Sequence, residues 1–273
     1  MPSRIHLAKF LSRRSLASET VEFTFSLPAG VAGVAGLAGA SAAPSQAAAA
    51  GPVPSSAAPW LSEAELKFRP GQFISVQVGI DDDQNPILRS YSLASPPQRR
   101  AELAIVLRLI PQGLGSQFFD RLRPGDSMRF TGPMGFFVNE LSHSGDVIYV
   151  ATGTGIAPIL PMLAETLDRP EPGRVSLYWG LRSEDEVFWQ DELAALQSRH
   201  PRFSPYIYLS QPRTGWTRLR GRVTGPVLEA LPTLRTPTFY LCGNGKMIEE
   251  LKASLVSRGI DRKRQIRTEA FFD

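Results

Sequence analysis

The chain has 273 residues, a size for one large domain or two ordinary ones, and its 42% apolar and 21% charged content suits a packed core rather than a disordered chain. The formal charge of +4, from 30 Lys and Arg against 26 Asp and Glu, is too mild to point by itself to nucleic acid. A single cysteine, Cys242, and three scattered histidines, His6, His143 and His200, exclude a disulfide framework, a cysteine-rich zinc site and a four-cysteine iron–sulfur cluster; no metal is expected.

Residues 1–18 are rich in Arg and Ser but lack the apolar stretch of a secretory signal, so they read as a first strand and a turn. Val21, Phe23, Phe25 and Leu27 then alternate with polar residues, the period of a half-buried strand. Residues 29–59 are almost wholly Ala, Gly, Pro, Ser and Val without charge, the composition of a flexible insertion between two strands. After the turn Arg69-Pro70-Gly71-Gln72, the alternation resumes in Ile74, Val76 and Val78. Residues 103–109 form an apolar run stopped by Pro111 and Gly113, and 128–131 follow the turn Arg123-Pro124-Gly125-Asp126. Short strands parted by Pro and Gly turns predict an antiparallel barrel or sandwich.

The rhythm changes near residue 146. Apolar strands at 147–151, 175–180, 206–210 and 239–242 alternate with helical patterns at 159–167, 189–198 and 223–231, and a further helix is expected over 247–258. This βαβ order implies a parallel sheet with helices on its faces. A two-domain β plus α/β chain is therefore expected, with residues 1–142 in the first domain and 146–273 in the second. No run approaches the ~20 apolar residues of a membrane span, so neither a membrane nor a nucleic-acid partner is expected, and the expected location is cytoplasmic.

Five short constellations carry chemistry. In Arg89-Ser90-Tyr91-Ser92, an extended segment sends Arg89 and Tyr91 to one side and Ser90 and Ser92 to the other. Arg suits a phosphate, Tyr a flat ring and Ser a ring nitrogen. Gly113-Leu114-Gly115-Ser116 precedes a helix expected over 117–121, with Ser116 as its N-cap and free amides suited to an anion. Gly132-Pro133-Met134-Gly135-Phe136-Phe137 is either a loop presenting an aromatic face or a barrel-closing turn with core Phe residues. Gly153-Thr154-Gly155-Ile156-Ala157-Pro158 stands between a strand and a helix, the context of a phosphate or nicotinamide site, with Pro158 where a dinucleotide fingerprint has its third Gly. Cys242-Gly243-Asn244-Gly245 again follows a strand, which places Cys242 beside the Gly153 turn if the strands are neighbours.

Together, in this order, these motifs resemble the ferredoxin–NADP reductase superfamily over nearly the whole chain except 29–59. The resemblance implies an antiparallel flavin-binding β-barrel followed by a parallel-sheet NAD(P)-binding α/β domain. It implies FAD as cofactor rather than FMN, because relatives that bind FMN usually carry iron–sulfur cysteines. Arg89, Ser90, Tyr91, Ser92 and Leu107, with Gly113, Gly115 and Ser116 at the pyrophosphate turn, would hold the flavin, and Phe271 or Phe272 would shield it. Gly153, Thr154, Gly155, Pro158, Arg182, Ser210, Cys242 and Gly243 would hold the nicotinamide dinucleotide. Gln211 resembles NADH-using relatives, whereas Arg213, Arg218 and Arg220 offer cations for a 2′-phosphate, so NADP and NAD both stay open. Ser92, Cys242 and Glu269 are the implied catalytic residues. The implied activity is hydride exchange between NAD(P)H and flavin, with a ferredoxin, a flavodoxin or an oxygenase component as redox partner. A reductase component of an oxygenase system and a non-catalytic flavin-binding or electron-transfer module are the alternatives.

Overall fold

The computed structural model of the chain describes residues 5–27, 66–96, 98–99, 101–140, 145–170 and 173–271. The 29–59 insertion and Phe272 lie outside the described residues. The first half holds β1 (Ile5–Ser15), β2 (Thr20–Ser26), β3 (Phe73–Ile80), β4 (Pro86–Ser92), β5 (Glu102–Arg108), α1 (Leu114–Arg121) and β6 (Ser127–Met134). The second holds β7 (Val147–Thr152), α2 (Ile156–Leu167), β8 (Val175–Leu181), α3 (Gln190–Arg199), β9 (Phe203–Leu209), α4 (Thr224–Ala230), β10 (Thr238–Asn244), α5 (Gly245–Ser257), α6 (Arg262–Gln265) and β11 (Ile266–Phe271).

The first six strands form one antiparallel sheet in the order β4-β3-β6-β1-β2-β5. An antiparallel bridge from Leu93 to Ile105 joins its two edges, so the sheet closes into a barrel rather than a sandwich. Alternation explains the interior: Phe23, Phe25, Ile74, Val76, Leu103, Ile105 and Leu107 point inward and are buried. Helix α1 plugs this core with Phe119, which meets Phe23 at 5.1 Å and stands edge-on to Tyr91 at 4.9 Å. The helix begins at Leu114, three residues earlier than the sequence pattern indicates, and its N-cap is Gly113 without a side-chain cap. Ser116 is therefore inside the helix and not its cap; its hydroxyl accepts the Ile110 N–H at 2.8 Å and pins the preceding turn instead.

The second sheet is wholly parallel, in the order β11-β10-β7-β8-β9. Strand β11 has no counterpart in the sequence reading. Its Arg267, Thr268 and Glu269 are polar because it is an edge strand, and only Ile266 is fully buried. Asp146, at the opening of β7, locks the loops beneath the sheet. Its carboxylate accepts the N–H groups of Arg174 and Arg235 at 2.9 Å each and the Arg174 guanidinium at 3.2 Å. Burial alone raises its pKa, but these donors outweigh burial and hold the carboxyl below its ordinary value.

The two sheets share a core. Ala94, Val106 and Phe137 of the barrel half pack into the same buried cluster as Tyr149, Trp179 and Tyr240 of the parallel sheet. Polar clamps reinforce the junction: Tyr149 donates to Asn139 at 2.7 Å, and Asn139 donates to the Met162 carbonyl at 2.8 Å. Phe137 is 3% exposed and Phe136 is 95% exposed, so each expected role of the 132–137 motif falls to one of the two rings.

Candidate active site

Three side chains from distant parts of the sequence meet where the sheets abut. Ser92 ends β4, and Cys242 and Glu269 stand opposite each other in the β10–β11 register. The Ser92 hydroxyl donates to Glu269 Oε1 at 3.1 Å across 177 residues of sequence. Burial pushes the Glu269 carboxyl up to about 7, against the opposing effect of the Ser92 hydrogen bond. Cys242 is fully buried, and burial together with the Glu269 charge pushes its thiol well above the ordinary value. The thiol is thus a small neutral wall rather than a nucleophile.

On the barrel side, Tyr91 lies between Phe119 and the first turn of α1, its hydroxyl against the place where a side chain on Gly115 would stand. Burial raises the Tyr91 phenol to about 12, opposed by the Arg89 charge, so it remains a hydrogen-bond donor. Arg89 is exposed, and among the described residues its side chain bonds only its neighbour, the Leu88 carbonyl, at 2.8 Å. Ser90 is also exposed. Leu107 turns its side chain into the barrel interior at 7% exposure, while Val106 packs in the core of the parallel sheet. Phe271 closes β11 opposite Asn244 and lines the cleft between the halves.

On the other side, the Gly153 and Gly243 turns interlock. Gly243 has φ +121, and a Cβ there would strike Thr152, whose hydroxyl accepts the Asn244 N–H at 2.8 Å. A Cβ on Gly155 would lie 2.5 Å from the Cys242 carbonyl, so the backbones of β7 and β10 approach as closely as they do because both residues are glycine. Trp179 on β8 donates to the Gly153 carbonyl at 2.9 Å and steadies the turn. Pro158 sits in the first turn of α2, where its missing N–H costs no intrahelical bond.

These turns form the floor of a cleft of about 440 Å³. Of the residues named for the dinucleotide, Gly153, Thr154, Arg182, Ser210 and Gly243 line it. Arg213, Arg218 and Arg220 do not, because each is held elsewhere: Arg213 pairs with Asp185, Arg218 reaches Gln190 at 3.2 Å and lies over Trp216, and Arg220 bonds the Trp216 carbonyl. The cleft is lined instead by Arg222 and Lys246, with Glu186 in the turn that follows β8; sequence reasoning assigned none of the three to the site. The available signal was position: Lys246 stands two residues beyond the carboxyl end of β10 and Glu186 five beyond that of β8, where open α/β sheets bind ligands, whereas Arg222 follows a long connection after β9.

Comparison with known proteins bears directly on this arrangement. Residues 61–138 match the family model of the oxidoreductase FAD-binding domain, and residues 149–253 match that of the oxidoreductase NAD-binding domain. The chain belongs to the ferredoxin–NADP reductase superfamily. It is 33% identical over 196 residues to the ferredoxin–NAD(P)(+) reductase component of the naphthalene 1,2-dioxygenase/salicylate 5-hydroxylase systems of a Ralstonia species, covering 71% of this chain and 58% of that protein. It therefore spans little more than half the length of that relative. It is 29% identical over 187 residues to ferredoxin–NADP reductase B of Sorangium cellulosum, covering 66% of this chain and 76% of the relative. A crystal structure of a Neisseria gonorrhoeae ferredoxin NADP+ reductase with bound FAD and NADP shares the fold at a TM-score of 0.72 and 21% identity, over 99% of this chain and 100% of that one.

The residues of this reductase-family chain fit FAD on their own terms. The amides in the first turn of α1 have no side-chain cap, which leaves a helix start open to a pyrophosphate, and Arg89 has no ion pair among the described residues. The Tyr91 hydroxyl reaches that turn at Gly115, and the next residue, Ser92, reaches the Glu269 carboxyl.

Proposed function

We propose that the chain is an FAD-dependent oxidoreductase that transfers hydride between NAD(P)H and flavin and exchanges electrons with a separate carrier protein, a ferredoxin or flavodoxin. Residues 1–142 form its flavin half and 146–273 its nucleotide half, and its location is cytoplasmic. The observation that carries this reading is the meeting of Ser92, Cys242 and Glu269 at the junction of the two sheets, beside a cleft floored by the Gly153 and Gly243 turns.

FAD, when bound, would supply the redox chemistry, as an acceptor of the nicotinamide hydride able to pass the two electrons on singly. The protein supplies position and proton control. Tyr91, Arg89 and the uncapped start of α1 hold the flavin; Thr154 and the 153–155 turn hold the dinucleotide. Cys242 gives the nicotinamide an apolar surface without a competing charge. Glu269 retains or releases a proton on its carboxylate near neutral pH, and the Ser92 hydroxyl fixes the orientation of Oε1. Phe271 narrows the cleft against water.

A second reading, the reductase component of an oxygenase system, shares this chemistry and differs in its acceptor; the relative from the Ralstonia species supports it. Anaerobic titration of the purified protein with NADPH and then NADH tests the common core. A flavin spectrum bleached by either nucleotide supports the reading. A bound flavin that neither nucleotide bleaches overturns it in favour of a non-catalytic flavin-binding module. Turnover with ferredoxin, flavodoxin and oxygenase components then separates the two acceptors.

A further inference from the structure

The cleft occupies the end of the parallel sheet where its strands finish. At the opposite end, beneath the start of β10, a hollow of about 410 Å³ opens to the surface. It is lined by Leu228 of α4, by Leu231, Leu234 and Ile260, and by Arg258 just after α5. The four aliphatic side chains are half-buried: each packs against the core under α4 and α5 and keeps part of its surface toward the hollow. Hydrogen bonds hold the walls in place. Leu234 donates to the Leu231 carbonyl at 3.1 Å, Ile260 donates to the Leu255 carbonyl at 3.2 Å, and the Gln265 amide ties α6 to the Pro237 carbonyl at 2.8 Å. Strand β10 is seven residues long, so about 20 Å separates this hollow from the cleft.

The rim is basic. Arg235 follows Leu234, and Arg262, Lys263 and Arg264 open α6 two residues beyond Ile260; these four and Arg258 are all exposed. Among the described residues, the Arg258 side chain reaches the Ser254 carbonyl on its own helix at 3.0 Å, and the other four side chains make no hydrogen bond or ion pair. The nearby carboxylates do not balance them. Asp146 is buried and engaged, and Asp261 turns back on α6 to accept the Lys263 and Arg264 N–H groups at 2.8 and 3.0 Å. Glu229 on α4 is the remaining opposing charge beside Leu228. An apolar floor inside a cationic rim matches a chain segment that carries aliphatic side chains among carboxylates. A second copy of this face would set like charges against each other. A lipid surface calls for projecting apolar side chains, whereas those of the hollow are recessed. We propose that the hollow docks an acidic segment of a partner protein, with aliphatic side chains in the hollow and carboxylates on the rim. The proposal uses no residue of the cleft and stands apart from the redox reading.

The test uses the purified full-length flavoprotein and labelled peptides of about twelve residues, the first with two Leu four positions apart among Glu residues, so that both lie on one helix face. One control replaces both Leu by Ala, and another replaces the Glu residues by Lys. By fluorescence anisotropy, the Leu–Glu peptide should bind at least about tenfold more tightly than either control, and added salt should weaken it. Arg258→Glu and Arg264→Glu should each weaken it about tenfold and leave Tm unchanged, because both positions are exposed. Amide exchange in the complex should slow at 228–237 and 258–265. No saturation below about 1 mM, equal binding of the Ala control, or affinity unmoved in both variants overturns the proposal. Binding to phosphatidylglycerol vesicles that both variants abolish, without peptide binding, overturns it in favour of a lipid surface.

Discussion

Glu269→Gln isolates the charge held at the sheet junction. In the native protein the carboxyl titrates near 7, against an ordinary value of 4.5. Between those pH values the folded state binds more protons than the unfolded state, so this group's contribution to stability falls as pH rises from 4.5 to 7 and is level beyond. The gap corresponds to a ceiling of about 3 kcal/mol, and partial contact with water brings the working figure to about 1–3 kcal/mol. Glutamine keeps the shape and still accepts the Ser92 hydroxyl through its amide oxygen, without the charge. Urea denaturation at pH 4, 5, 6, 7 and 8 should find the variant and the wild type nearly equally stable at pH 4. At pH 8 the variant should be more stable by about 1–3 kcal/mol, or several degrees in Tm. A stability difference that stays constant across the series, or a wild type more stable at pH 8, would refute the account of a desolvated carboxyl.

Two further substitutions probe the scaffold. Gly243→Ala forces an L side chain into φ +121 and against Thr152; thermal denaturation should show a loss of about 2–3 kcal/mol together with a raised coenzyme KM, and a change within about 0.5 kcal/mol would contradict the interlocked turns. Asp146→Ala leaves the N–H groups of Arg174 and Arg235 without their acceptor and should cost about 3 kcal/mol at neutral pH by chemical denaturation. Because the Asp146 carboxyl is held below its ordinary value, its stabilisation is present above that value and is lost as pH falls through the folded one. The wild type and variant should therefore converge in acid, and a gap that persists there would count against the hydrogen-bonded carboxylate.

Local patterns were legible in the sequence for good reason. Alternation in Val21, Phe23 and Phe25 can bury only one face of a strand, and the strand–helix repeat after residue 146 has few solutions other than a parallel sheet. Ser116 was taken for a cap because serine favours caps, whereas the turn at Ile110 offers its hydroxyl another donor. Strand β11 was missed because an edge strand needs no continuous apolar run.

The sequence by itself determined the two halves, the glycine turns at strand ends and the residue types present for redox chemistry, because each is a matter of local periodicity or backbone conformation. Tertiary structure alone decided which of them meet. It brought Ser92 to Glu269 across 177 residues and set Cys242 beside that carboxyl through strand register. It also engaged Arg213, Arg218 and Arg220 with partners of their own while leaving Arg182 and Arg222 to the cleft. A charge acts through what stands within a few ångströms of it, and those distances are set by the packing of the two sheets.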